Sequence, residues 1–176
     1  HWHGIELESY SDGVAGWSGT GRNTAPAIMP GDSFTAHLIL PRAGTFIYHT
    51  HLNDVEQLTS GLYGAIVVLP RDQPFDSTTD HVMVVGWDGD GNPPHLLLNG
   101  DSLPPPLVLA AGVRHRFRLV NIGPAARVRI SIVRDSMPAL WRAIAKDGAD
   151  LPSLQGTERP AIRVVQVGET FDFLFQ

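Results

Sequence analysis

The stretch Gly44-Thr45-Phe46-Ile47-Tyr48-His49-Thr50-His51 decides how this chain is read. It follows the turn residues Pro41-Arg42-Ala43, is rich in β-branched and aromatic side chains, and has the length of a strand. Side chains of a strand alternate between its faces, so His49 and His51 project from one face, roughly 6.5–7 Å apart along the chain. The opening His1-Trp2-His3-Gly4 has the same spacing. Each pair can present two imidazoles to one metal or to two adjacent metals. Trp2 and Tyr48, which alternate with the histidines, are expected to face the core.

Outward from these pairs, apolar residues recur in short runs bounded by Gly, Pro, Asn and Asp, the punctuation of strands and turns. Strands are expected over His1–Leu7, Ser33–Leu40, Gly44–His51, Gly61–Leu69, His81–Trp87, His95–Leu98, Val113–Ile122, Arg127–Val133, Leu140–Lys146, Ile162–Val167 and Thr170–Phe175. Turns are expected at Pro30–Asp32, Pro41–Gly44, Asp88–Pro94 and Asn121–Pro124. One short helical turn is expected around Asn53–Thr59, with Asn53 as its cap. The polar stretch Pro70–Thr79 breaks the rhythm and marks a boundary between a first unit, 1–72, and a second, 73–176. A weak internal repeat, Gly31-Asp32-Ser33-Phe34 against Gly112-Val113-Arg114-His115-Arg116-Phe117 and Gly168-Glu169-Thr170-Phe171, agrees with one sandwich design used twice.

Composition fits. Of 176 residues, 43% are hydrophobic and only 18% charged, while 18 Gly and 14 Pro supply turns, so an all-β chain is expected. The formal charge of −5 with scattered arginines argues against a nucleic-acid partner, and no run is long enough for a membrane span. With no cysteine, the chain by itself excludes disulfides, thiol nucleophiles, Cys-ligated zinc, iron–sulfur clusters and a type 1 blue-copper centre. Imidazole ligation without thiolate suits copper, zinc, iron or nickel, with copper favoured by affinity order.

Two architectures could use the histidines. A cupin reading takes His49, His51 and Glu56 as ligands of one metal, with His95 and Asn99 mimicking part of a second motif; it leaves His1 and His3 without a role, and Asn92-Pro93-Pro94 stands where a Pro-x-Gly turn belongs. The other explains more of the chain. His1-Trp2-His3-Gly4, Ser11-Asp12-Gly13, Pro30-Gly31-Asp32-Ser33-Phe34, Ala43–His51 and Gly61–Val68 resemble, in order, the first cupredoxin domain of multicopper oxidases such as laccases. Residues 80–176, with Val84-Val85-Gly86-Trp87 and Leu97-Leu98-Asn99-Gly100, are more diffusely similar to the second domain of three-domain members.

That resemblance implies two Greek-key cupredoxin-like β-sandwiches, the first lacking its opening strands and so leaving an exposed edge. It implies that His1 binds a type 2 copper and that His3, His49 and His51 bind the type 3 pair. Asp12 would lie near this trinuclear cluster and assist proton delivery to reduced oxygen; without the family it reads as an ordinary turn residue before Gly13. The implied reaction couples one-electron oxidation of a small reducing substrate to four-electron reduction of dioxygen, in a secreted or periplasmic setting. The chain departs from the family in carrying two of four histidine motifs and no type 1 copper ligands. The rest would come from a missing C-terminal cupredoxin domain or another chain. Beginning on His1, with no initiator Met or signal peptide, it is expected to be a processed product or an internal portion, inactive by itself.

Rival functions are a non-catalytic copper-binding module, the cupin enzyme, and a purely structural sandwich. His37, His81, His95 and His115 stand outside any His-x-His pair and are expected to be strand or loop residues. Arg114-His115-Arg116-Phe117-Arg118 reads as a strand with one solvated face, Arg127 and Arg129 project likewise, and Pro104-Pro105-Pro106 as a rigid connector.

Overall fold

Short runs punctuated by glycine and proline cannot sustain long elements, and the chain folds accordingly as strands joined by turns. The structure is a computed structural model describing residues 1–89 and 95–176. The turn expected at Asp88–Pro94 and the Asn92-Pro93-Pro94 stretch fall largely on residues 90–94, outside those described.

The first part contains β1 (Trp2–His3), a small hairpin of β2 (Gly19–Thr20) and β3 (Asn23–Thr24), β4 (Gly44–His49), the six-residue helix α1 (Asp54–Thr59) and β5 (Tyr63–Val68). Strand β4 is central in a three-stranded antiparallel sheet of order β1-β4-β5. The remainder supplies β6 (Asp80–Asp88), β7 (His95–Leu98), β8 (His115–Asn121), β9 (Val128–Ser131), β10 (Val133–Arg134), β11 (Met137–Pro138), β12 (Leu140–Lys146), β13 (Ala149–Asp150), β14 (Glu158–Pro160), β15 (Ile162–Val165) and β16 (Thr170–Phe175). Seven of these form one sheet, β13-β12-β16-β8-β6-β7 with β14 also on β12; β6 and β8 run parallel and its other pairs antiparallel.

Alternation on β8 gives the large sheet two different faces. Phe117 and Leu119 join Val85, Trp141, Phe171 and Phe173 in a core closed on the other side by Val128 of β9 and Val165 of β15. Val120, on the opposite face, joins Ile122 in a second core with Ile47 of β4 and Leu58 of α1. The two regions thus share buried surface across this sheet. Burying a side chain of this size contributes about 1.5–3 kcal/mol.

Several expectations need correction. Ser33–Leu40 keeps a period of two, with Phe34, Ala36 and Leu38 half-buried and Thr35, His37 and Ile39 exposed, yet joins no ladder. A strand needs a partner at hydrogen-bonding distance, and alternation does not supply one. For the same reason His1–Leu7 shrinks to Trp2–His3, and Gly44–His51 ends at His49. Asn53 precedes α1 and its carbonyl accepts from Gln57 N–H, but its side chain makes no capping bond; its φ of 49° is left-handed, whereas a capping residue is extended. Arg118, expected on a solvated face, is fully buried because acidic partners lie over it. Tyr48 is 42% exposed rather than in the core. Tyr48 lies on the face of β4 opposite Ile47, beyond buried Phe46 and toward the end of the strand, against half-buried Trp2 at 6.3 Å between ring centroids.

Candidate metal centre

The register of β1 against β4 assembles the site. His3 lies opposite Ile47, and the backbones of His1 and His49 exchange two hydrogen bonds of 2.9 and 3.0 Å. Residues directly opposite share a face, so His1, His3 and His49 project on the same side as buried Ile47. His1, His3 and His49 are half-buried at the end of the second core, and each offers a ring nitrogen within 4.8 Å of the others. His3 Nδ1 and His49 Nε2 are 3.3 Å apart. His51, past the end of β4 and more exposed, brings its ring centroid to 4.9 Å from that of His1 and 5.0 Å from that of His49.

Neighbours fix these rings. His49 Nδ1 donates to the Thr50 carbonyl at 2.7 Å, leaving Nε2 with its lone pair toward the cluster. His1 Nδ1 lies 2.9 Å from Asp12 Oδ1, so the carboxylate takes the Nδ1 proton and leaves Nε2 available. Burial holds the His49 imidazole below the usual histidine range; nearby His3 and His51 push the same way, against the Thr50 carbonyl. Neutral rings whose second nitrogen is held by a carbonyl or carboxylate are what a metal requires. The donor set therefore fits a nitrogen-preferring ion such as copper.

Asp12 is carried to the site by a short 3-10 turn, Ser9–Asp12. The Trp2 indole N–H donates to the Ser11 carbonyl at 2.8 Å, tying that turn to β1. Gly13 closes it at φ 85°, where a Cβ would sit 3.3 Å from the His1 backbone nitrogen, so the position demands glycine. His1 and His51 also border a cavity of about 810 Å³ with apolar walls including Trp17, Ile28, Phe34 and Leu62.

Glu56 is exposed on α1 and stands outside the three-histidine group. His81, His95 and His115 lie in strands and His37 in the unpaired stretch, none of them within the three-histidine group. His81 and His115 form a buried pair of their own, Nε2 to Nδ1 at 3.1 Å, with His115 Nε2 donating to the Ala110 carbonyl. The orienting roles of the Thr50 carbonyl and the Trp2 indole were missed in the sequence, since backbone acceptors leave no residue signature.

An all-β sandwich that gathers imidazoles at one end of a sheet is a cupredoxin-like architecture. Over residues 1–73 this chain matches the family described as "Multicopper oxidase". It is 38% identical to copper resistance protein A of Escherichia coli over 98 residues, 55% of this chain and 15% of that protein. It is 40% identical to L-ascorbate oxidase of Cucumis sativus over 78 residues, 43% of this chain and 12% of that protein. The match therefore spans a small fraction of either relative. The fold is similar to the McoA multicopper oxidase 2F4 variant of Aquifex aeolicus, with TM-score 0.75 and 21% identity over 100% of this chain and 41% of that one. It is also similar to the blue copper oxidase of Nitrosomonas europaea, with TM-score 0.74 and 22% identity over 99% and 57%. These likenesses establish the cupredoxin fold.

Proposed function

We propose that this chain is the portion of a laccase-like multicopper oxidase that holds half of an oxygen-reducing copper cluster. The observation that carries the reading is the convergence of His1, His3 and His49 ring nitrogens within 4.8 Å, with His51 beside them. His1 serves a type 2 copper, and His3, His49 and His51 serve the type 3 pair. Copper bound there supplies one-electron redox chemistry linking oxidation of a small reducing substrate to reduction of dioxygen to water.

The chain's own groups then have distinct tasks. The Thr50 carbonyl keeps the His49 proton on Nδ1 and its Nε2 free. Asp12 holds the Nδ1 proton of His1 and, 30% exposed, stands between solvent and the cluster as a proton relay. Residues 1–72 form the copper-bearing unit and 73–176 a second sandwich; a further cupredoxin domain or another chain supplies the remaining histidines and the type 1 copper. The setting is secreted or periplasmic. Among the described residues, no helix is long and apolar enough to cross a membrane.

The test is metal analysis and oxidation of a phenolic dye by the copper-loaded chain, with and without the missing C-terminal portion. Copper should bind, be lost on changing His3 and His51 to Ala, and give turnover only with the added portion. Strong turnover by the chain by itself, or copper content indifferent to those changes, defeats the reading; one metal held by His49, His51 and Glu56 favours the cupin alternative.

A further inference from the structure

Beneath the histidines lies a buried polar network that the copper chemistry does not use. Arg118 of β8, 2% exposed at its side chain, makes two bonds to Asp80, Nε to Oδ1 at 2.6 Å and Nη2 to Oδ2 at 2.7 Å. Its Nη1 donates to Thr45 Oγ1 at 2.9 Å and to Asp172 Oδ2 at 3.2 Å. Arg116 also pairs with Asp172, so two guanidinium groups face two carboxylates. Charges so deeply buried persist only when fully paired.

Strand β4 enters this network through one side chain. The Thr45 hydroxyl accepts from Arg118 and donates to Asp172 Oδ1 at 2.8 Å, while the Thr45 carbonyl accepts from the Thr170 hydroxyl at 2.9 Å. Four residues on, about 13 Å at the rise of a strand, β4 carries His49, and β1 beside it carries His3. The second region also touches the cluster directly. Gly168, at φ 76° before β16, lies under the His3 ring, where a Cβ would stand 3.2 Å from Cε1.

We propose that Thr45, clamped between Arg118 and Asp172, is a positioning residue for the histidine cluster, and that residues 80–172 thereby set the imidazole geometry. Three bonds fix residue 45 in place and in rotation about the strand axis. Pairing of β4 on both edges makes it stiff enough to pass that setting to His49 and, through β1, to His3. The network is thus the rigid support that a preorganised metal site requires. This inference rests on the copper reading only for its second readout.

The first readout needs no metal. In the metal-free protein, imidazole Cε1–H NMR signals of His3 and His49 and the cross-relaxation between the two rings report their geometry. Thr45→Val keeps the shape and removes the hydroxyl; it should shift both signals, weaken the cross-relaxation and lower Cu(II) affinity in calorimetry by roughly tenfold. Thr45→Ser should restore all three. Unchanged ring signals in Thr45→Val, or Thr45→Ser no closer to the parent than Thr45→Val, would overturn the proposal. Should Thr45→Val not fold, Thr170→Val removes only the bond onto the Thr45 carbonyl and is held to the same outcomes. A parent protein that takes up no copper sinks the functional reading, while the ring signals still decide the positioning.

Discussion

Ile47→Ala probes whether β4 belongs energetically to the large sheet. Ile47 has no exposed surface and packs on Leu58, Val120 and Ile122, partners drawn from both regions of the chain. The change deletes three carbons, worth about 2.5 kcal/mol by transfer, and the cavity left among relatively immobile strands brings the expected loss to about 3–4 kcal/mol. For a domain of this size each kcal/mol shifts the melting temperature by about 2–4 °C, so a drop of roughly 6–16 °C is expected. Scanning calorimetry is the assay, with a single transition that moves as a whole. Two resolved transitions of which only one moves, or a loss below about 1 kcal/mol, would refute the shared-core reasoning.

Other outcomes follow from the site and its surroundings. Asp12→Asn removes the carboxylate that holds His1 Nδ1, and Cu(II) affinity by calorimetry should fall about 10–100-fold. Gly13→Ala forces a side chain into a left-handed residue against the His1 backbone; chemical denaturation should show a loss of about 1–2 kcal/mol. Burial, with His115 acting the same way, holds His81 below the usual histidine range despite nearby Asp80 and Asp76. The unfolded state then binds a proton that the folded state refuses, so stability is full above pH ~6.5 and declines as pH falls below it. His81→Gln, whose amide can still donate to His115 Nδ1, should flatten that decline in melts at pH 5 and 7; an unchanged slope assigns it elsewhere.

Much of this was legible in the sequence where one residue type serves one purpose. The two His-x-His pairs announced both a strand and imidazoles on one face of it, and His95–Leu98, Leu140–Lys146 and Thr170–Phe175 were expected at the bounds they have. Failures came where a partner decides. Ser33–Leu40 alternates without a ladder neighbour, and the pairings of Gly19–Thr20 with Asn23–Thr24 and of Glu158–Pro160 with β12 depend on residues that local pattern cannot bring together. Arg118 failed for a related reason: alternation gives its face, but only tertiary packing covers that face with Asp80, Asp172 and Thr45. In the site, the imidazoles were visible, while the Thr50 carbonyl and Gly168 act through backbone and so left no mark in side-chain identity.

The bond between Thr45 and Asp172 joins residues 127 positions apart, and this long reach orders events during synthesis. The histidine strand leaves the ribosome early, but its anchor arrives only when β16 has been made. At ~5–20 residues per second that interval is roughly 6–25 s, during which the imidazoles hang on a chain without its buried support. Until β16 is in place, His1, His3 and His49 lack the Asp172 bond that ties their strand to the large sheet.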